Sequence, residues 1–152
     1  MTAEDIDRVQ EHFDTIKSRP LAARFYQILF SHHPALRPLF PEDLSSLRAH
    51  FEATLELVIA HLGRVTAVDA MLRELGARHL RYGAQPHHYA LVREALMEAL
   101  EQESGGVWNE ALARGWRLAI ATVIVPMLRG AAVETAAVAQ AFAAEDTIDR
   151  TS

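Results

Sequence analysis

Cysteine is missing from this chain of 152 residues, which excludes disulfides, thiolate metal sites and a cysteine nucleophile. Clusters of basic residues are missing too. The 15 lysines and arginines are scattered among 20 acidic residues, for a formal charge of -5, so nucleic acid and an anionic membrane are not expected partners. No stretch offers the roughly eighteen uninterrupted apolar residues of a membrane span. The start, MTAEDIDRVQEHFDTIKSRP, is charged throughout and has no apolar signal core, so a soluble, cytoplasmic protein is the expectation. No run alternates convincingly with period two; TVIV at 122–125 comes nearest, and Pro126 directly after it argues against a central strand. Internal repeats, linkers, the zinc-protease helix motif, the phosphate-binding glycine loop and the nucleophile elbow are all absent.

What remains is half apolar, enough for one core that needs no metal or disulfide staple, and its apolar residues recur with helical period. Ile6, Val9, Phe13 and Ile16 form one stripe; Leu21, Phe25 and Leu29 form the next, with Tyr26 and Phe30 on a neighbouring line. Pro34, Pro38 and Pro41 permit only short turns and a corner. Ser45 and Ser46 are placed to cap a helix whose stripe runs Leu47, Phe51, Leu55, Val58, Ile59, Leu62 and stops at Gly63. Thr66 and Asp69 have the spacing of a capping box for the following helix. Gly83 ends that helix and Pro86 starts another, through Tyr89, Val92, Leu96 and Leu100. A last long helix begins near Val107, and Pro126 is expected to kink or end it. The expected fold is all-α, with six to eight helices. It comprises a domain over 1–130 and an alanine-rich extension over 131–152 that is either helical or frayed.

His79 stands out within MLRELGARHLRYG, seven residues after Leu72 and four after Leu75, which places its imidazole on their inward face. A buried imidazole needs a partner for each ring nitrogen, and a metal centre is one such partner. The other histidines carry less. His32 with His33, and His87 with His88, adjoin prolines at corners and read as solvated; His12 and His61 also read as surface residues.

Taken in order, RFYQILFSHHPALRPLF, LGARHLRYG, QPHHYALVREALMEAL and ALARGW resemble the globin family, in particular the bacterial single-domain globins and the haem domain of flavohaemoglobins. The resemblance spans residues 3 to 128 and implies a globin fold binding haem b (iron protoporphyrin IX). It makes His79 the proximal iron ligand and Tyr26 the distal tyrosine, whose phenol donates a hydrogen bond to a bound gas. Read alone, Tyr26 is also a core aromatic with a wet hydroxyl. Phe40, Leu75, Val92 and Leu96 would line the slot, and Arg78 is placed to pair with a haem propionate. Two distal registers stay open. Flavohaemoglobin spacing puts Leu47 at the gate and Phe51 one turn further in, whereas the shorter spacing of animal oxygen carriers puts His50 there. The apolar stripe centres away from His50; as an edge residue, His50 is able to swing in as a sixth ligand.

Two departures bear on function. No flavin or nicotinamide domain accompanies the chain, so iron reduction is expected to need a separate reductase. Where the family supports its proximal histidine with a tyrosine and a glutamate, Tyr89 matches the tyrosine, and the glutamate position falls on Met127. A carboxylate there would make the histidine more electron-rich and lower the iron's potential. The first expectation is therefore reversible binding of a diatomic gas (O2, CO or NO) for storage, delivery or sensing. The second is nitric oxide dioxygenation, and the third a haem-free helical sensor or interaction module.

Overall fold

The computed structural model describes residues 1–151, with side chains at all of these except 65, 142 and 145–151. Its α-helices are α1 (Ala3–Ile16), α2 (Leu21–His32), α3 (Ser45–Ala60), α4 (Asp69–Arg81), α5 (Pro86–Ser104) and α6 (Glu110–Thr151). Short 3-10 turns cover Pro34–Leu39, Leu62–Ala67 and Gly105–Val107, and no strand occurs among the described residues.

Local chemistry explains most helix ends. Thr2 and Asp5 cap α1 reciprocally, each backbone N–H donating to the other's side chain at 3.1 Å. Gly83, at φ 95°, lies just past the end of α4, and Pro86 occupies the first turn of α5. Two expected caps are absent. Ser45 does not cap α3 with its side chain; Asp43 does that work, accepting from the Ser45 amide at 2.9 Å and from its hydroxyl. Thr66 lies within a 3-10 turn, so α4 starts at Asp69 with no side-chain cap, and Asp69 pairs with Arg73 at 2.8 Å.

Tertiary packing explains the rest. Helix α4 lies along α6, α2 lies on α5, and α1 crosses α6. The α4–α6 contact is backbone on backbone: a Cβ at Gly76 would sit 1.9 Å from the Met127 carbonyl oxygen, and one at Gly130 would sit 1.8 Å from that of Arg73. This contact explains why α6 passes through Pro126 instead of ending there. A proline inside a helix costs about 3 kcal/mol, and the α4–α6 packing around Met127 and Gly130 holds the helix across the missing hydrogen bond. Beyond the globular body, Arg81 still grips Glu134 at 3.0 Å. By length and composition the Glu110–Ala141 part of α6 is apolar enough to cross a membrane. Its Leu112, Trp116, Ile120 and Met127 are core residues.

His12 is also a core residue, contrary to its expected surface position. It is 6% exposed, lying three residues after Val9 and four before Ile16, and so on the buried line of α1. Its Nδ1 accepts from Trp116 Nε1–H at 2.8 Å, and Nε2 lies 2.7 Å from Ser104 Oγ. Both ring nitrogens are thus satisfied by the protein.

Candidate functional site

The corner after α2 is held by one side chain. Arg37 donates to the carbonyls of Phe40, Pro41 and Glu42 at 3.3, 2.9 and 2.9 Å, and its guanidinium lies 5.2 Å from the centre of the Phe30 ring. This clamp turns Phe40 inward, where its ring meets Phe30 at 5.1 Å and Tyr26 at 5.8 Å. Tyr26 also packs edge-on to Phe51 at 6.1 Å, and Phe51 stacks on Phe25 at 4.8 Å. Tyr26, Phe40 and Phe51 therefore come from three separate segments into one aromatic cluster. No signal in the sequence singled out Arg37, because its role depends on the carbonyls that the folded corner presents.

Tyr26 is 7% exposed, and its hydroxyl makes no hydrogen bond within the described residues. Burial pushes its pKa up, so the phenol keeps its proton and remains a donor. Along α3, Leu47 and Phe51 are half-buried against the core, whereas His50 is exposed.

On α4, His79 is half-buried in the last turn, with Nδ1 2.8 Å from the Leu75 carbonyl oxygen. A carbonyl only accepts, so Nδ1 carries the proton, and the lone pair of the neutral ring lies on Nε2. Leu75 and, from α5, Val92 are half-buried against the core, and Leu96 is buried. Arg78 is exposed beside His79 and has no ion pair within the described residues.

Helix α3 packs on α1 and α2; among the described residues it has no extensive packing with α4 or α5. The apolar residues Leu47, Phe51, Leu75 and Val92 are thus left half-covered on helices that stand apart. Nearby, Tyr89 buries its hydroxyl with no partner among the described residues, and burial raises its pKa. The position that closes against Gly76 on α6 is Met127, so no carboxylate reaches Tyr89 Oη or His79 Nδ1 there.

An all-α domain with helices held apart, apolar side chains between them and one histidine offering a free nitrogen is of the class that holds a flat prosthetic group. The globin family pattern matches residues 23–128, more than half of the sequence. The chain belongs to the globin family.

Among known proteins, it is 26% identical over 122 residues to a flavohemoprotein from Vibrio cholerae, covering 72% of this chain and 31% of that protein. The chain thus spans about a third of that relative's length. It is 26% identical over 107 residues to leghemoglobin 2 from Sesbania rostrata, covering 62% of this chain and 72% of the other. Among solved structures, an engineered carbene transferase derived from a candidate nitric oxide dioxygenase of Rhodothermus marinus superposes with a TM-score of 0.83. That match has 23% identity and covers 91% of this chain and 99% of that one. The fold is accordingly similar to that of oxygen- and nitric oxide-handling globins, and family membership implies a haem-binding pocket.

Proposed function

We propose that this globin holds haem b between α3 and α4 and converts nitric oxide and dioxygen to nitrate, one electron per turnover coming from a separate reductase. The observation that carries the cofactor is the fixed His79 tautomer, with Nδ1–H on the Leu75 carbonyl and Nε2 left as the donor. The half-covered Leu47, Phe51, Leu75 and Val92 suit an apolar macrocycle. If bound, haem would supply an iron able to take a diatomic gas and to exchange an electron.

The chain's own residues do the rest. His79 would hold the iron through Nε2, its ring fixed by the Leu75 carbonyl. Tyr26, protonated and unpartnered, donates a hydrogen bond to a polarised gas ligand, and Phe40 and Phe51 exclude water around it. The exposed Arg78 stays available for a propionate. The likeness to the flavohemoprotein and to the Rhodothermus marinus fold supports nitric oxide chemistry. Met127 and the unpartnered Tyr89 hydroxyl favour a second reading, reversible gas binding alone, because nothing there strengthens the histidine's donation to the iron.

The test is haem titration followed by spectra of the ferric and ferrous protein, with and without oxygen. A strong Soret band is expected in the wild type and a lost or altered one in His79→Ala. With a generic reductase, rapid nitric oxide consumption that falls in Tyr26→Phe supports the dioxygenase. A stable oxygen adduct with slow turnover selects simple gas binding, and no Soret band after haem addition leaves only the haem-free reading.

A further inference from the structure

Two histidine pairs have no part in the haem reading, yet the fold brings them together. His32 and His33 lie at the end of α2, His87 and His88 open α5, and all four line one groove of about 500 Å³ together with Leu36 and Leu91. Adjacent residues within a helix diverge by about 100°. The chain leaves α2 at His33 (φ -134°, ψ 69°), and the His32 and His33 ring centres stand 6.4 Å apart.

Hydrogen bonding sorts the four rings. His32 Nε2 lies 3.2 Å from Glu98 Oε2, a carboxylate close enough to orient a metal-bound imidazole. His33 and His87 make no hydrogen bond or ion pair within the described residues. His88 is committed, because Nδ1 accepts from the Gln85 amide at 2.9 Å and the neutral ring's proton is left on Nε2. With the rings as they stand, no three donors converge on one point among the described residues. His87 is exposed and His33 half-exposed, and side chains at such positions exchange rotamers within nanoseconds.

We propose that this groove binds one borderline divalent cation of the Zn2+ class through His32, His33 and His87, with Glu98 orienting His32. Imidazole suits such ions, and three imidazoles leave a fourth position open to water or an exogenous ligand. The absence of cysteine means that no thiolate in the chain competes for the ion.

The experiment is calorimetric titration of Zn2+ into tag-free, full-length, haem-treated protein, with Cu2+ electron paramagnetic resonance as a second readout. The expected result is one ion per chain at micromolar affinity, with nitrogen hyperfine structure from Cu2+ and no change in the haem absorption. Affinity should fall at least about tenfold in each of His32→Ala, His33→Ala and His87→Ala, and about tenfold in Glu98→Gln. His61→Ala, outside the groove lining, should bind normally. His87→Gln repeats the test in a variant that keeps a polar side chain. Binding only at millimolar Zn2+, or equal affinity in all the groove variants, overturns the site.

Discussion

Tyr26 and His12 are both buried polar side chains, and their hydrogen bonding sets them to opposite uses. His12 spends both ring nitrogens on Trp116 and Ser104, and the Ser104 hydroxyl donates its own hydrogen bond to the Leu100 carbonyl. That arrangement holds only for the neutral ring, and burial, followed by the nearby Arg19 charge, lowers the His12 pKa. In the unfolded chain the ring titrates near its usual value of about 6.5. Below that pH the unfolded state takes a proton that the folded state refuses, so stability is full above pH ~6.5 and declines as pH falls toward the folded pKa. His12→Leu strands the Trp116 indole N–H and is expected to cost about 1–3 kcal/mol. It should also flatten the denaturation profile just below pH 6.5, and an unchanged slope would show that the acid sensitivity resides elsewhere. Tyr26, by contrast, spends nothing on the protein. Tyr26→Phe removes only a donor worth about 1 kcal/mol, so stability should barely move while oxygen dissociates from the ferrous protein several-fold to tenfold faster. Stopped-flow release rates equal to wild type would return Tyr26 to the role of a core aromatic.

Among the elements, the α4–α6 pair decides where His79 stands. Ala normally replaces Gly in a helix with a gain of about 1 kcal/mol. At Gly76 and Gly130, however, the new Cβ would meet backbone oxygen at under 2 Å, and neither helix can yield as a side chain would. Overpacking costs about 1–3 kcal/mol or more, so the sign reverses. Gly76→Ala is expected to lower the urea midpoint and, three residues before His79, to weaken haem retention as well; a stabilised variant would mean that the helices lie further apart. This contact also marks the limit of what the sequence makes legible. The stripes, Gly83 and Pro86 are local signals, and α2, α4 and α5 follow from them. The course of α6 through Pro126 does not, since it depends on a neighbour distant in sequence. His12 was legible at spacings of three and four from Val9 and Ile16, although its polar ring suggested surface. Of the site, the order of Tyr26, Phe40 and His79 is visible in the chain. The Arg37 clamp and the half-covered state of Leu47 and Phe51 depend on how α3 is held relative to α4.

For the whole molecule, the unequal support of its helices implies how ligand and fold are coupled. Helix α4 is backed by α6 and α2 by α5, whereas the main packing of α3 among the described residues is on α1, α2 and the turn that follows it. Its Leu47, Phe51 and Leu55 remain half-buried, and an element with few buried contacts opens at low free energy. A group that fills the slot binds the closed form of α3 and not the open one, so it stabilises that form by RT ln(1 + [L]/Kd), about 2.7 kcal/mol at a hundredfold excess over Kd. The gain should not be uniform. Amides of α3 from Leu47 to Val58 and of the last turn of α4 around His79 are expected to gain most hydrogen-exchange protection when haem is added. The α1–α6 contact at His12 and Trp116, already closed on its own hydrogen bonds, should gain little beyond the global shift. In His79→Ala the α4 gain should disappear, and any residual α3 gain would report the macrocycle packing on Leu47 and Phe51 without the His79 imidazole. Equal protection across all helices would place haem outside this slot, because only a ligand wedged between α3 and α4 closes the poorly supported helix ahead of the others.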